Sequence, residues 1–240
     1  MRNKLAPTKN VAALQAAYEA LATRDLGVPG MGLVHGYTGA GKTTAISWLV
    51  NRAKGVYVRA TSGWTPASML AKVMSELGAV PLQRRAEMLE WISQQLGQQQ
   101  RPLFVDEADY LCGSAAKPML ESLRDLHDLS GVPVVLVGMR GIDKRLVANA
   151  QLARRISHWV EFLPSDLEDA GVLASHVCEV EIAEDLLAQL HAEAKGSIGL
   201  MVVGLARIEA LAKGSGWRRV TAAQWGERKL FLGNRPAAEI

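Results

Sequence analysis

Eight consecutive residues limit what this chain can be. Gly36-Tyr37-Thr38-Gly39-Ala40-Gly41-Lys42-Thr43 is a full match to G-x-x-x-x-G-K-[ST]. Met31-Gly32-Leu33-Val34 precedes it as a short apolar run, and Thr44-Ala45-Ile46-Ser47-Trp48-Leu49-Val50 follows it with helical spacing. A strand, a glycine loop and a helix in that order aim successive backbone N–H groups and a helix N-terminus at a polyphosphate. The backbone from Gly36 to Thr44 is therefore expected to cradle a nucleoside triphosphate. In that setting Lys42 reaches the β- and γ-phosphates and the Thr43 hydroxyl ligates Mg²⁺.

A second signal lies downstream. Pro102-Leu103-Phe104-Val105-Asp106-Glu107 is an apolar strand ending in a carboxylate pair. After a phosphate-binding loop, Asp106 would hold Mg²⁺, directly or through water, and Glu107 would orient and polarise an attacking water. The pair argues for hydrolysis as well as binding. Asp106-Glu107-Ala108-Asp109 also spells the box of RNA helicases, but 240 residues cannot hold two recombinase-like helicase domains.

The remaining apolar runs complete a sheet. Gly55–Ala60, Val132–Gly138 and a stretch around Trp159–Leu163 read as strands. With those near 31 and 102 they give a five-stranded parallel sheet flanked by helices and joined by right-handed crossovers. Helices are expected over Val11–Thr23 with Asn10 as cap, from Pro66 to about Leu77, over Leu82–Leu96, and over Pro118–Leu129 with Gly131 as its stop. The first of these either lies against a nucleotide base or simply packs. Arg140–Arg155 is basic, with Arg140, Lys144, Arg145, Arg154 and Arg155 against Asp143 alone. From Ser165 the pattern turns wholly helical, with segments near 166–178, 183–194, 200–212 and 221–230. Two domains are expected: 1–164, an α/β nucleotide-binding domain with an N-terminal arm, and 165–240, a small all-helical lid with a basic tail.

Composition excludes other classes. A hydrophobic content of 49% with 21% charged residues suits a globular protein with a sizeable core. The longest apolar run, near Val132–Met139, is too short to span a bilayer, so no membrane partner is expected, and no signal peptide is read at the start. Cys112 and Cys178 stand far apart in no metal-ligand spacing, which suits two reduced thiols in a cytoplasmic protein. A net charge of +3 permits a nucleic-acid partner without arguing for one. The tail from Lys213 to Arg235 is more basic, carrying Lys213, Arg218, Arg219, Arg228, Lys229 and Arg235 against Glu227. Trp217 and Trp225 lie among these charges, in a mixture that suits either phosphate contact or a solvated face over two core tryptophans.

Taken together, the motifs resemble those of an AAA+ ATPase, in the order of that superfamily. Within it the chain looks most like the phage Mu-type transposition protein B family, the target-selection ATPases of transposons. That resemblance rests on Val105-Asp106-Glu107-Ala108-Asp109, Val135-Leu136-Val137-Gly138, Gln151-Leu152-Ala153-Arg154-Arg155-Ile156 and the compact size, and it covers about Val11 to Ala212. It implies an ATP- and Mg²⁺-dependent helical oligomer or filament that coats duplex DNA with little sequence preference and recruits a transposase in a bacterial or phage-infected cytoplasm. It also implies slow, DNA-stimulated ATP hydrolysis, with ATP between neighbouring subunits and Arg154 or Arg155 acting in trans on the γ-phosphate. Arg154 is the favoured one. DNA contact in such assemblies falls to loops at one end of the sheet, here Arg59, Thr61, Trp64 and Thr65, with Lys117 and Lys144 as further candidates.

Three departures accompany the resemblance. Met139 and Arg140 follow Gly138 where relatives carry a polar γ-phosphate sensor. Gly196-Ser197-Ile198-Gly199-Leu200 stands where their lid often reads Gly-Asn-x-Arg-Arg, and Arg207 lies further along without an assigned role. Too few residues precede Gly36 for the helix-turn-helix extension of the Mu protein. The loss of sensors suggests a switch more than a motor. A helicase loader is the alternative reading, and a small-molecule kinase a third, disfavoured by the Asp-Glu pair and the helical lid.

Overall fold

The computed structural model describes residues 1–2, 4–113 and 116–231; Arg235 of the basic tail lies outside them. The chain forms two compact units, one of Asn10–Thr38 with Lys42–Leu163, the other of Met1–Lys9, Gly39–Gly41 and the chain from Pro164.

In the larger unit the elements run α1 (Lys9–Ala22), β1 (Met31–Gly36), α2 (Lys42–Ala53), β2 (Val56–Arg59), α3 (Pro66–Glu76), α4 (Arg85–Gln99) and β3 (Leu103–Asp106). They continue with α5 (Lys117–Ser130), β4 (Val134–Val137), α6 (Ile142–Val147), α7 (Ala150–Ala153) and β5 (Ile156–Phe162). The strands make one parallel sheet in the order β2-β3-β4-β1-β5. Every residue of β1, β3 and β4 is buried, as central parallel strands covered on both faces must be. Leu33 lies beside Leu136, Val105 beside Leu136, and Arg59 beside Asp106, so β1, β2 and β3 all end on the same side of the sheet. Ligands of open parallel sheets bind outside these carboxyl ends, near strands that are neighbours in space but not in sequence. Here β1 is flanked by β4 and β5.

Local chemistry explains the helix boundaries. Thr65 caps α3 in a capping box: its hydroxyl accepts from Ser68 N–H while Ser68 Oγ accepts from Thr65 N–H, and Pro66 opens the helix. Gly131 ends α5 at φ 70°, its N–H donating to His127 O at 2.9 Å. Some expectations fail. Asn10 lies inside α1 and is no cap; its side chain instead brackets Leu163, Nδ2 donating to the carbonyl at 2.8 Å and Oδ1 accepting the N–H at 3.2 Å. Helix α4 runs past Gly97 to Gln99, and that glycine marks a point of close approach, where a Cβ would lie 3.1 Å from Ser130 O. The basic stretch 140–155, noted in the sequence only for its charge, holds α6 and α7, anchored by buried Ile142, Leu146 and Leu152. A short 3₁₀ turn, Ala108–Leu111, follows β3.

The smaller unit contains α8 (Leu167–Val177), β6 (Glu181–Ile182), α9 (Glu184–Ala194), α10 (Ile198–Gly214), β7 (Arg219–Val220) and α11 (Ala222–Trp225). It is not wholly helical, because β6 and β7 pair in parallel. Glu181 N–H donates to Arg218 O and Ala183 N–H to Val220 O, both at 2.9 Å. Two residues a side leave no periodicity for sequence reading to find. The last expected helix shrinks to four residues, ended at Gly226 with φ 65°. Trp225 is 2% exposed and donates Nε1–H to Arg228 O, and Trp217 packs on the same core, so both tryptophans of the basic tail serve packing. Ser197 caps α10, and Gly199 N–H donates to Gly39 O at 3.0 Å. Arg207 donates to Lys229 O at 2.7 Å, a structural link between α10 and the tail.

Candidate nucleotide and hydrolysis site

Strand β1 delivers Gly36 to the end of the sheet. Its φ of 141° and a virtual Cβ only 2.2 Å from Phe162 O explain why glycine stands there, with Tyr37 N–H donating to that same carbonyl at 3.3 Å. Residues 37–41 turn into α2, whose first residue is Lys42. Gly39 and Gly41 both have positive φ. The Lys42 ammonium donates to Gly36 O and Tyr37 O, both at 2.8 Å, so its charge is held by the carbonyls of its own loop. Burial pulls its pKa below the ordinary lysine value, opposed by Asp106, Asp109 and Glu107.

The two motifs meet. Thr43 Oγ1 lies 3.4 Å from Asp106 Oδ2, and Asp106 is 6% exposed. No cation pairs directly with this carboxylate among the described residues, and a buried carboxylate without one is costly. A buried carboxylate with no directly paired cation and the all-oxygen pair of Thr43 and Asp106 fit Mg²⁺, which takes one or two protein oxygens and completes its shell with phosphate and water. Among the described residues no group of three or more His, Cys, Asp or Glu is placed to hold a metal ion, so this pair would work only together with a phosphate ligand. Thr43 and Asp106 would hold the metal, which would supply charge against the β- and γ-phosphates.

Glu107 adopts φ 55°, one of four non-glycine residues with positive φ among the described residues, at the turn where β3 leaves the sheet. Its carboxylate pairs with Arg59 at 2.7 Å, and its N–H donates to Asp106 Oδ1 at 2.8 Å. Tyr57, two residues before Arg59 on β2, donates its hydroxyl to Asp106 Oδ2 at 2.8 Å. Its pKa is pushed up to about 12, by burial first and then by that bond. Asp109 ties the turn after β4 to this end of the sheet: Oδ2 accepts Met139 N–H at 2.7 Å, and Oδ1 pairs with Arg145. Met139, where the resemblance leads one to expect a polar sensor, is thus held through its backbone by Asp109. Arg140 stacks its guanidinium over the Tyr37 ring at 4.6 Å. Tyr57 carried no sequence signal, and Asp109 and Arg145 were marked only as part of a motif and of a basic stretch, because their roles act through neighbours brought near by the fold.

The other candidates scatter. Arg155 is bound bidentately to Asp128 at 2.9 and 3.1 Å, whereas Arg154 is exposed and makes no side-chain hydrogen bond or ion pair among the described residues. Thr65 is the cap of α3, and Trp64 packs partly on the core, which reduces what either offers to a ligand. Thr61, Lys117 and Lys144 are exposed. Cys112 and Cys178 are free thiols whose pKa values burial raises to about 11, which makes them poor nucleophiles. Among the described residues no helix is long and apolar enough to cross a membrane.

A family model described as an AAA domain matches residues 25–146, half of the chain. The chain belongs to the AAA domain family. That assignment makes this a P-loop ATPase fold, and solved structures agree on the architecture. The ORC2 protein of Aeropyrum pernix, solved with ADPNP and ADP, is 16% identical with a TM-score of 0.70; the match covers 93% of this chain and 68% of that one. The ORC1 protein of the same organism, solved in complex with DNA, is 16% identical with a TM-score of 0.62 over 88% of this chain and 61% of that one. The RuvB Holliday junction branch migration motor of Thermotoga maritima is 18% identical with a TM-score of 0.59 over 90% and 66%. At these identities the likeness concerns the fold, and this AAA chain spans about two thirds of the length of those proteins. No curated protein matches it.

Proposed function

We propose that this AAA protein is a slow ATP switch that engages duplex DNA and whose hydrolysis is held back until DNA arrives. The observation that carries the reading is the Arg59–Glu107 pair. Glu107 is the group placed to activate water, and its carboxylate is turned toward a guanidinium that is 66% exposed. A pair this exposed is screened by solvent and holds its partners only weakly. A DNA phosphate, which pairs bidentately with arginine, can therefore take Arg59 and free Glu107 as base. Gly36 to Thr44 hold the triphosphate, Lys42 leaves its loop carbonyls for the phosphates, Thr43 and Asp106 take Mg²⁺, and Arg154 of a neighbouring copy completes the charge on the γ-phosphate. The ORC1 structure with DNA supports a DNA partner for this fold.

The finer reading, delivery of target DNA to a transposase by a nonspecific filament, is supported by the sequence resemblance alone. A helicase loader would share this ATPase core, and co-purification with a transposase or with a replicative helicase separates the two. The direct test is duplex-DNA binding with ATP, ADP or no nucleotide across a salt series, imaged by electron microscopy. ATP-dependent, sequence-tolerant binding that weakens steeply with salt is expected. No binding under any nucleotide overturns the DNA reading and leaves a protein-remodelling ATPase.

A further inference from the structure

Strands β2 and β3 run in parallel register, Tyr57 opposite Phe104 and Arg59 opposite Asp106. Alternation along β2 puts Tyr57 and Arg59 on one face, while Val56 and Val58 point into the core. One face of a single strand thus grips both members of the carboxylate pair: Tyr57 holds Asp106 and Arg59 holds Glu107.

The Tyr57 contact is the more telling. Asp106 accepts three hydrogen bonds, from Glu107 N–H on Oδ1 and from the Tyr57 and Thr43 hydroxyls on Oδ2, at 2.8, 2.8 and 3.4 Å. All three donors are neutral. They fix the carboxylate's rotamer and relieve part of its burial without neutralising it, which leaves its charge available to a cation on the Thr43 side. A cationic partner in the Tyr57 position would compete with the metal, and an apolar one would leave the carboxylate free to rotate.

We propose that Tyr57 is the positioning residue of the metal-holding carboxylate, its hydroxyl setting Asp106 Oδ2 toward Thr43 before Mg²⁺ and nucleotide arrive. The inference rests on reading Thr43 and Asp106 as the metal side of the site. Outer hydrogen-bond partners of metal ligands typically control affinity by about tenfold or more. The loss should appear in the metal's affinity, while nucleotide binding without metal should be unaffected.

The test is a Mg²⁺ titration of nucleotide affinity, with Mn²⁺ paramagnetic resonance as a direct readout, on the full chain, Tyr57→Phe and Asp106→Asn. Tyr57→Phe is expected to need about tenfold more metal for half-saturation, with an altered Mn²⁺ spectrum, unchanged ATP affinity in EDTA and a melting temperature close to wild type. Metal affinity equal to or tighter than wild type in Tyr57→Phe, while Asp106→Asn loses metal, overturns the role of Tyr57 alone. Wild type and Asp106→Asn binding metal identically overturns the assignment of the metal side beneath it.

Discussion

At the scale of single residues the site is a set of charges held in reserve. Lys42 is bonded to loop carbonyls, Glu107 to Arg59 and Asp106 to two hydroxyls, so each group expected to meet phosphate, water or metal already has a partner it can exchange. Lys42→Ala should weaken nucleotide binding by about a hundredfold, the worth of one or two charge-assisted hydrogen bonds, and should remove ATP-dependent DNA binding with it. Equilibrium titration with a fluorescent nucleotide checks the first part; unchanged affinity would remove Lys42 from the cradle. Glu107→Gln should keep ATP affinity and lose about a hundredfold or more in turnover, prolonging the ATP-bound state. A single-turnover assay reads this, and normal hydrolysis would mean that another group activates water.

At the scale of elements, β1 and its loop depend on glycine packing, and the prediction is one of stability. Gly36→Ala places a methyl on Phe162 O and keeps a φ that alanine avoids, so unfolding should become easier by at least about 2 kcal/mol. Chemical denaturation measures it; an unchanged midpoint would mean that β1 and β5 separate without strain. Thr65→Ala removes the cap of α3 at a cost of about 1 kcal/mol. The five parallel strands and both carboxylates of the site were legible because a continuous apolar run, a glycine loop and an Asp-Glu terminus each carry their meaning locally. The pairing of β6 with β7, α6 and α7 within the basic stretch, and the grip of β2 on β3 were not. Those depend on partners distant in sequence, such as Tyr57 and Asp106, whose meeting follows from strand order and leaves no local trace. Asn10 shows the converse: a residue type that caps helices was bound to Leu163.

For the whole molecule the account requires copies acting on one another. Arg154 is exposed and without a partner among the described residues, while Arg155 is paired with Asp128, so Arg154 has no intramolecular bond to give up and is the one proposed to act in trans. Mixing Arg154→Ala with Glu107→Gln, each inactive alone, should restore part of the activity at mixed interfaces; activity of Arg154→Ala equal to wild type would mean that no trans arginine is used at this position. The claim tested most directly is that DNA relieves the hold of Arg59 on Glu107. ATP hydrolysis by the wild type and by Arg59→Ala, each with and without duplex DNA at saturating Mg²⁺-ATP, decides it. The account predicts a slow wild type accelerated by DNA, and an Arg59→Ala variant that is several-fold faster without DNA and nearly indifferent to it. An Arg59→Ala variant as slow as wild type and equally accelerated by DNA would contradict it.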